Sequence, residues 1–456
     1  MKRKVSYIAL GVAIGLVSGA LIPYSSSLLS NRAAAAAPET YRELNLLGDV
    51  FDQISNSYVE KPNDSKVIEA AINGMLASLD PHSRYMDAKA FADFQAKTAG
   101  KFGGIGIEIT QENGMIKIVT AIDDTPAAKA GILSGDVITD IDGDSARAMT
   151  LDQVADKMRG VPNSMVRLKV LRGSAKEVKA FQIVRDIIKV PSVRSHIEDG
   201  DIGYVHITEF DEQSYDGLKS AMDKFQDAPG DKLKGYILDL RNNPGGLVDQ
   251  SVQIVNAFLD RGEIVSTRGR DVEETQRYDA RPGVDLSHGR PLVVLINGGS
   301  ASASEIVSGA LQDHKRATLI GTRSFGKGSV QTIIPLGENG ALALTTARYY
   351  TPSGRSIQAK GIEPDIQILE DVPDDLKGKE DIEGESSLKG HLTNGVDEKN
   401  GSQAYVPPDP KNDKQLLAAV DLLHGVKAAA APAQPTKDAA PTAQARPNAA
   451  LTRPPG

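Results

Sequence analysis

Residues 291–331 read PLVVLINGGSASASEIVSGALQDHKRATLIGTRSFGKGSVQ, and the alternation inside this stretch decides the fold. PLVVLI has the length and branched apolar content of a buried strand. A Gly/Ser turn leads from it into the helical run IVSGALQDH, and ATLIGT then reads as a second strand. The glycine-flanked turn FGKG follows, and SVQTIIPL reads as a third strand. Strand, helix and strand in succession predict an α/β core. The same alternation runs from Ser195 to Asp365, with GYILDL at 235–240 as a further strand.

Within this stretch Ser302 sits where a strand turns into a helix, a place where N-terminal amides and the helix dipole favour a developing negative charge. Ser302 and Glu305 also have the spacing of a capping box, a purely structural role that any helix can use. A serine nucleophile needs a base, and His314, the nearest histidine in sequence, lies about 18 Å along the same helix at 1.5 Å per residue. Lys327 stands in FGKG, where glycines allow close backbone approach. It serves as a base only when neutral, so burial or a neighbouring cation must lower its pKa. The competing role is that of an exposed surface lysine. Residues 321–327, GTRSFGK, begin like a phosphate-binding loop, but position 328 is Gly, Ser329 comes one place late, and a strand follows instead of a helix.

Outward from the core, composition narrows the functional classes. The 456-residue chain has a net charge of -8. Its body is more acidic still, because residues 1–37 carry basic residues and no acid. That balance argues against general nucleic-acid binding. Cysteine is absent, which excludes disulfides, thiolate metal sites and a cysteine nucleophile. MKRK followed by an uncharged apolar run over residues 5–24 reads as an export signal within 1–37, or as a retained anchor to the inner membrane, with the body outside the cytoplasm. Residues 38–100 show helical periodicity. Residues 427–456 form an Ala/Pro-rich tract expected to be disordered. Between the core, residues 191–369, and that tail, residues 370–426 hold an acidic stretch, read as a solvated loop, and a helix candidate near Asp413 to Gly425.

Residues 101–190 change to short β-type runs, IGIEIT, IKIVTAI, DVITDIDG and MVRLKVLRG, with one helix, TLDQVADKMRG, consistent with a compact β half-barrel. GGIGIEI at 103–109, PAAKAGILSGDVITDIDG at 126–143 and the helix after Thr150 together resemble a PDZ domain. The glycines alone are also compatible with a plain tight turn. The resemblance implies that backbone N–H groups around Gly104, Ile105, Gly106 and Ile107 face the terminal carboxylate of a bound peptide, with Val154 on the flanking helix.

The chain as a whole resembles the C-terminal processing, or tail-specific, serine peptidases. The resemblance rests on DPHSRYM at 80–86, GGIGIEI, DLRNNPGG at 239–246, SASASEI at 300–306, QDHKRATLIGTRSFGKGSVQT at 312–332 and YYTPSGRSIQAKGIEPDI at 349–366. It implies a multi-domain α/β protein: a helical N-terminal region, a PDZ domain and an α/β peptidase core. Ser302 is then the nucleophile, Lys327 the base, Gln331 the residue that orients the lysine, and Asp313 a supporting acid. Backbone N–H groups of Gly245 or Gly246 and of Ala303 would hold the oxyanion. No cofactor or metal is implied. The expected partners are proteins with free C-termini, with an activating partner or adaptor and a homo-oligomer as further expectations. A catalytically silent PDZ scaffold is the alternative, and loss of Ser302 or Lys327 would be its mark.

Overall fold

The computed structural model describes residues 38–173, 177–227, 232–283 and 285–426. The apolar run at residues 5–24 and the tract at 427–456 lie outside them. Among the described residues no helix is long and apolar enough to cross a membrane. The chain divides into two units, Met1–Ile72 and Asn73–Gly456. The first holds helix α1 (Pro38–Ser57) and the start of α2 (Asp64–Ala77), where Asn63 Oδ1 accepts the N–H of Lys66 at 3.1 Å. Tyr41, Leu44, Leu47, Val50 and Ile54 are exposed along α1.

The second unit begins with β1 (Arg84–Met86), α3 (Ala88–Thr98), capped by Asp87, and β2 (Lys101–Gly104). A β module follows: β3 (Ile107–Glu112), β4 (Met115–Ala121), α4 (Pro126–Lys129), β5 (Val137–Ile141), β6 (Asp144–Ser145), α5 (Leu151–Met158), β7 (Met165–Arg172), β8 (Glu177–Val184) and β9 (Asp186–Lys189). Its main sheet has the order β3-β4-β5-β7-β8, with β6 on β5, while β2 pairs with β9. Alternate apolar residues such as Ile116, Ile118, Val166 and Leu168 point into one core, as period-two patterning requires. A complete capping box between Thr150 and Gln153 starts α5.

The α/β core contains β10 (Val193–Glu198), β11 (Ile202–Ile207), α6 (Ser214–Asp227), β12 (Gly235–Asp239), α7 (Val248–Asn256), β13 (Glu263–Arg268), β14 (Gln276–Asp279), β15 (Leu292–Ile296), α8 (Ala303–Asp313), β16 (Thr318–Gly321), β17 (Ser329–Pro335), β18 (Ala341–Tyr350) and β19 (Ile366–Gln367). The central sheet runs β10-β11-β12-β15-β16-β19, parallel from β11 onward. Strands β12 and β15 are buried at every position, which explains the unbroken apolar run of β15 and that of β12 up to Asp239 at its carboxyl end. Leu238, Val294 and Leu319 face α6, α7 and α8. Ile237, Leu295 and Ile320 face the opposite layer, which is α9 (Lys414–Leu423). Adjacent parallel strands β12, β15 and β16 are in register at their carboxyl ends, and residues 240–247, 297–302 and 322–328 leave from there side by side. A second sheet, β1-β18-β13-β14 with β17 on β18, lies next in the chain's architecture.

One expectation fails in the C-terminal part. The acidic stretch is not a solvated loop throughout, because Glu370 and Glu385 at its two ends are buried. Each has the donors that a buried carboxylate requires. Glu370 accepts the N–H groups of Lys414 and Gln415, and Glu385 accepts from Gln358 Nε2 at 2.8 Å and pairs with His82. Between them β20 (Asp381–Ile382) pairs with β21 (Ser402–Gln403).

Candidate active site

Ser302 caps α8 with φ 53° and ψ −111°, a left-handed backbone that a side chain rarely adopts. Surrounding hydrogen bonds hold it there. Ser300 Oγ donates to Leu240 O at 2.8 Å, Ala301 N–H donates to Asn243 O at 3.0 Å, and Ser304 Oγ donates to Asn243 O at 2.9 Å. Only one arm of the expected capping box forms. Ser302 N–H donates to Glu305 Oε2 at 2.8 Å, while Glu305 N–H goes to the carbonyl of Ser302 and not to its hydroxyl. The Ser302 hydroxyl is thereby left available in a cleft of about 490 Å³ that Lys327 also lines.

Lys327 stands between β16 and β17, where a Cβ on Gly328 would come within 2.2 Å of Gln358 N, so only glycine fits. Burial pushes the Lys327 ammonium below its usual pKa, and nearby Arg84 pushes the same way. Glu385, Glu305 and Asp80 oppose them. Among the described residues Lys327 has no ion pair. A half-buried lysine without an ion pair is shifted toward the neutral form.

Glu305 joins the two segments. It is fully buried and accepts four hydrogen bonds: Ser302 N–H and Lys327 N–H on Oε2, Gly326 N–H and Ser324 Oγ on Oε1, all between 2.6 and 2.9 Å. Burial pushes its pKa up to about 7 against those donors. The sequence marked Glu305 only as a capping partner, and its contacts 19 to 22 residues away leave no trace in local spacing.

Across the cleft the turn after β12 carries Gly245 at φ 101° and Gly246 at φ 143°. A Cβ on Gly245 would lie 2.8 Å from Ser302 Cβ, and one on Gly246 would lie 2.1 Å from Phe210 O. Gly245 N–H donates to Asn243 Oδ1 at 2.8 Å, whereas Gly246 N–H has no partner among the described residues. Ala303 is the first residue of α8, so its N–H belongs to the unsatisfied first turn. Gly246 and Ser302 line the same cleft, and the N–H groups of Gly246 and Ala303 have no partner among the described residues.

The remaining candidates are placed unevenly. Gln331 lines the cleft, and its Nε2 donates to Ser329 Oγ at 3.0 Å and Thr345 Oγ1 at 3.1 Å, not to Lys327. Thr345 Oγ1 in turn donates to Asp80 Oδ1 at 3.1 Å, which ties the DPHS turn to the same wall. Asp313 does not line the cleft. It lies at the far end of α8, where it accepts Ser353 N–H at 2.9 Å and pairs with Arg355. In the β module, Ile105 and Gly106 link β2 to β3, and their N–H groups have no partner among the described residues. Gly104 ends β2 and Ile107 opens β3. Val154 is fully buried in the module's core, so it supports α5 from within.

Peptidase family S41 matches residues 201–368, a PDZ domain matches 117–172, and the activating protease CtpB N-terminal domain matches 22–90. The chain is 52% identical over 441 residues to the carboxy-terminal-processing protease of Bartonella bacilliformis, covering 96% of this chain and 100% of that one. It is 34% identical over 383 residues to the carboxy-terminal processing protease CtpA of Bacillus subtilis, covering 83% and 79%. Among solved structures, the photosystem II D1 C-terminal processing protease is 30% identical, with 72% and 93% covered and a TM-score of 0.41. A helical N-terminal region, a PDZ domain and an α/β core with a serine at a strand-to-helix turn define a serine-type peptidase. The chain belongs to peptidase family S41, among its carboxy-terminal processing proteases.

Proposed function

We propose that the protein is an endopeptidase of the cell envelope that selects substrates by their free C-termini and cleaves them with Ser302 and Lys327. The observation that carries this reading is that both side chains line one cleft while a single carboxylate, Glu305, holds both backbones. Neutral Lys327 Nζ takes the proton of Ser302 Oγ as that oxygen bonds to the substrate carbonyl carbon. Negative charge moves to the carbonyl oxygen, where Gly246 N–H and Ala303 N–H receive it. The C–N bond then breaks, and the leaving amine takes the proton back from Lys327. A water gives a proton to Lys327 as it attacks the acyl-enzyme, and the proton returns to Ser302 Oγ when the acid product leaves. Gln331 holds the cleft wall through Ser329 and Thr345, and Asp313 supports the far end of α8 through Ser353 and Arg355.

The free N–H groups of Ile105 and Gly106 suit the terminal carboxylate of a peptide that adds along β3. Polypeptides with free C-termini are therefore the substrates. Residues 5–24 direct export or attach the protein to the inner membrane, leaving the catalytic part in the periplasm. The exposed apolar residues of α1 suit a second copy or an activating adaptor.

Cleavage of an unfolded protein with an apolar C-terminal tail, followed by gel and mass spectrometry, tests the reading. Ser302→Ala and Lys327→Ala should each abolish product. Wild-type rates from Ser302→Ala would remove Ser302 from the chemistry.

A further inference from the structure

The match to family S41 ends at residue 368, yet the chain beyond it returns to the site. Asp239 and Arg241, both buried, face each other at the start of the turn that carries Gly245 and Gly246. Arg241 Nη2 lies 2.6 Å from Asp239 Oδ2, and Arg241 N–H donates to Asp239 Oδ1 at 2.9 Å. The outer side of the guanidinium is held from the C-terminal segment. Nη1 donates to Asp413 Oδ1 at 2.9 Å, and Nη2 lies 2.8 Å from Asp413 Oδ2. Asp413 also caps α9 by accepting Leu416 N–H at 2.8 Å. A second tie reaches the segment before Ser302. Gly298 N–H donates to Gln403 O, and Asn297 Nδ2 donates to Ala404 O, both at 3.0 Å, while Asn297 Oδ1 accepts Asn242 N–H at 2.9 Å.

A buried guanidinium must have its donors satisfied, and Asp239 alone cannot serve all of them. The conformation of residues 239–246 is thus coupled to the docking of residues 402–416. We infer that Asp413 is a positioning residue for the oxyanion turn, and that the catalytic module of this chain extends through residue 416. The inference rests on the site proposed above. Asp413 touches no reacting atom and acts through Arg241 on the direction of Gly246 N–H.

Two variants of the full chain test it. Asp413→Ser keeps a helix-capping hydroxyl but is too short to reach Arg241. Asp413→Asn is isosteric and keeps the cap and one acceptor while removing the charge. Steady-state cleavage of a peptide substrate and inhibition by the matching peptide aldehyde, whose adduct with Ser302 presents an oxyanion, are measured on the folded fraction. Misplaced donors at a reacting centre lower rates by about ten- to a hundredfold. Asp413→Ser should lose kcat in that range, with KM within about twofold and aldehyde affinity falling in parallel. Asp413→Asn should fall severalfold in the same two quantities. Should the serine variant not fold, the asparagine variant decides: wild-type kcat and aldehyde affinity in it overturn the inference. Ser302→Ala, run alongside, separates the two levels. If it retains cleavage, the proposed site fails and the inference with it. If it is inactive while both Asp413 variants match wild type, only the inference fails.

Discussion

Glu305 Oε2 accepts the backbone N–H of Lys327 at 2.9 Å. The two residues are 22 apart in sequence, and the same oxygen holds the N–H of Ser302. The spacing of the proposed nucleophile and base is therefore held by one buried carboxylate on α8.

Glu305→Gln would turn an acceptor pair into one acceptor and one donor facing backbone N–H groups. Loss of kcat by about a hundredfold is expected at a folded, assayable level, since small misplacements at a reacting centre have effects of this size. Glu305→Ala leaves three N–H groups and Ser324 buried without an acceptor. At about 1–3 kcal/mol for each unsatisfied group, chemical denaturation should show a loss of at least about 3 kcal/mol. A Glu305→Gln enzyme with wild-type kcat would contradict the clasp.

Stability should carry the signature of this group as well. The Glu305 pKa of about 7 in the folded protein exceeds its ordinary 4.5, so the folded state holds the proton more tightly than the unfolded chain. Its contribution to stability is fully present below pH 4.5, declines as pH rises through that window to about 7, and is flat beyond. Melting temperatures across this range should fall more steeply in wild type than in Glu305→Gln. Identical slopes in the two proteins would count against it.

The base should leave its own pH signature. With a pKa lowered from 10.5 by burial, neutral Lys327 gains population as pH rises, so kcat/KM should climb along a lysine-type limb displaced to lower pH. Glu385 is the largest favourable charge on the ammonium, and Glu385→Gln removes it. The limb should then move further toward acid. A midpoint that stays in place would point to a different ionising base.

Backbone geometry gives a prediction at the PDZ loop. Gly106 has φ 80°, and a Cβ there would lie 2.4 Å from Thr125 Cβ. Gly106→Ala should weaken binding of a labelled C-terminal peptide by more than about tenfold in fluorescence anisotropy, as expected when anchoring N–H groups turn away. Binding at wild-type strength would mean that the peptide carboxylate is held elsewhere.

Much of this architecture was readable because it is local. PLVVLI and GYIL are uniformly apolar because β15 and β12 are buried on both faces, and the Gly/Ser turn and FGKG sit at strand ends where the chain must change direction. SASASEI and FGKG stood out for the same reason, whereas DPHSRYM entered only through the family resemblance. What stayed hidden depends on partners far along the chain. Glu370, Glu385 and Asp413 look like solvent-facing acids in a polar segment, and only Lys414, His82, Gln358 and Arg241, brought near by folding, make their burial tolerable. The capping spacing of Ser302 and Glu305 was visible, but not that the hydroxyl would be left out of it.

Strands β12, β15 and β16 lie side by side, and their ends are in register from Asp239 to Leu295 and from Ile296 to Gly321. The turn with the glycines, the serine and the lysine are pinned like three pegs on one rail. The sheet thus brings the candidate groups to neighbouring strand ends, and Glu305 fixes the last of their spacing.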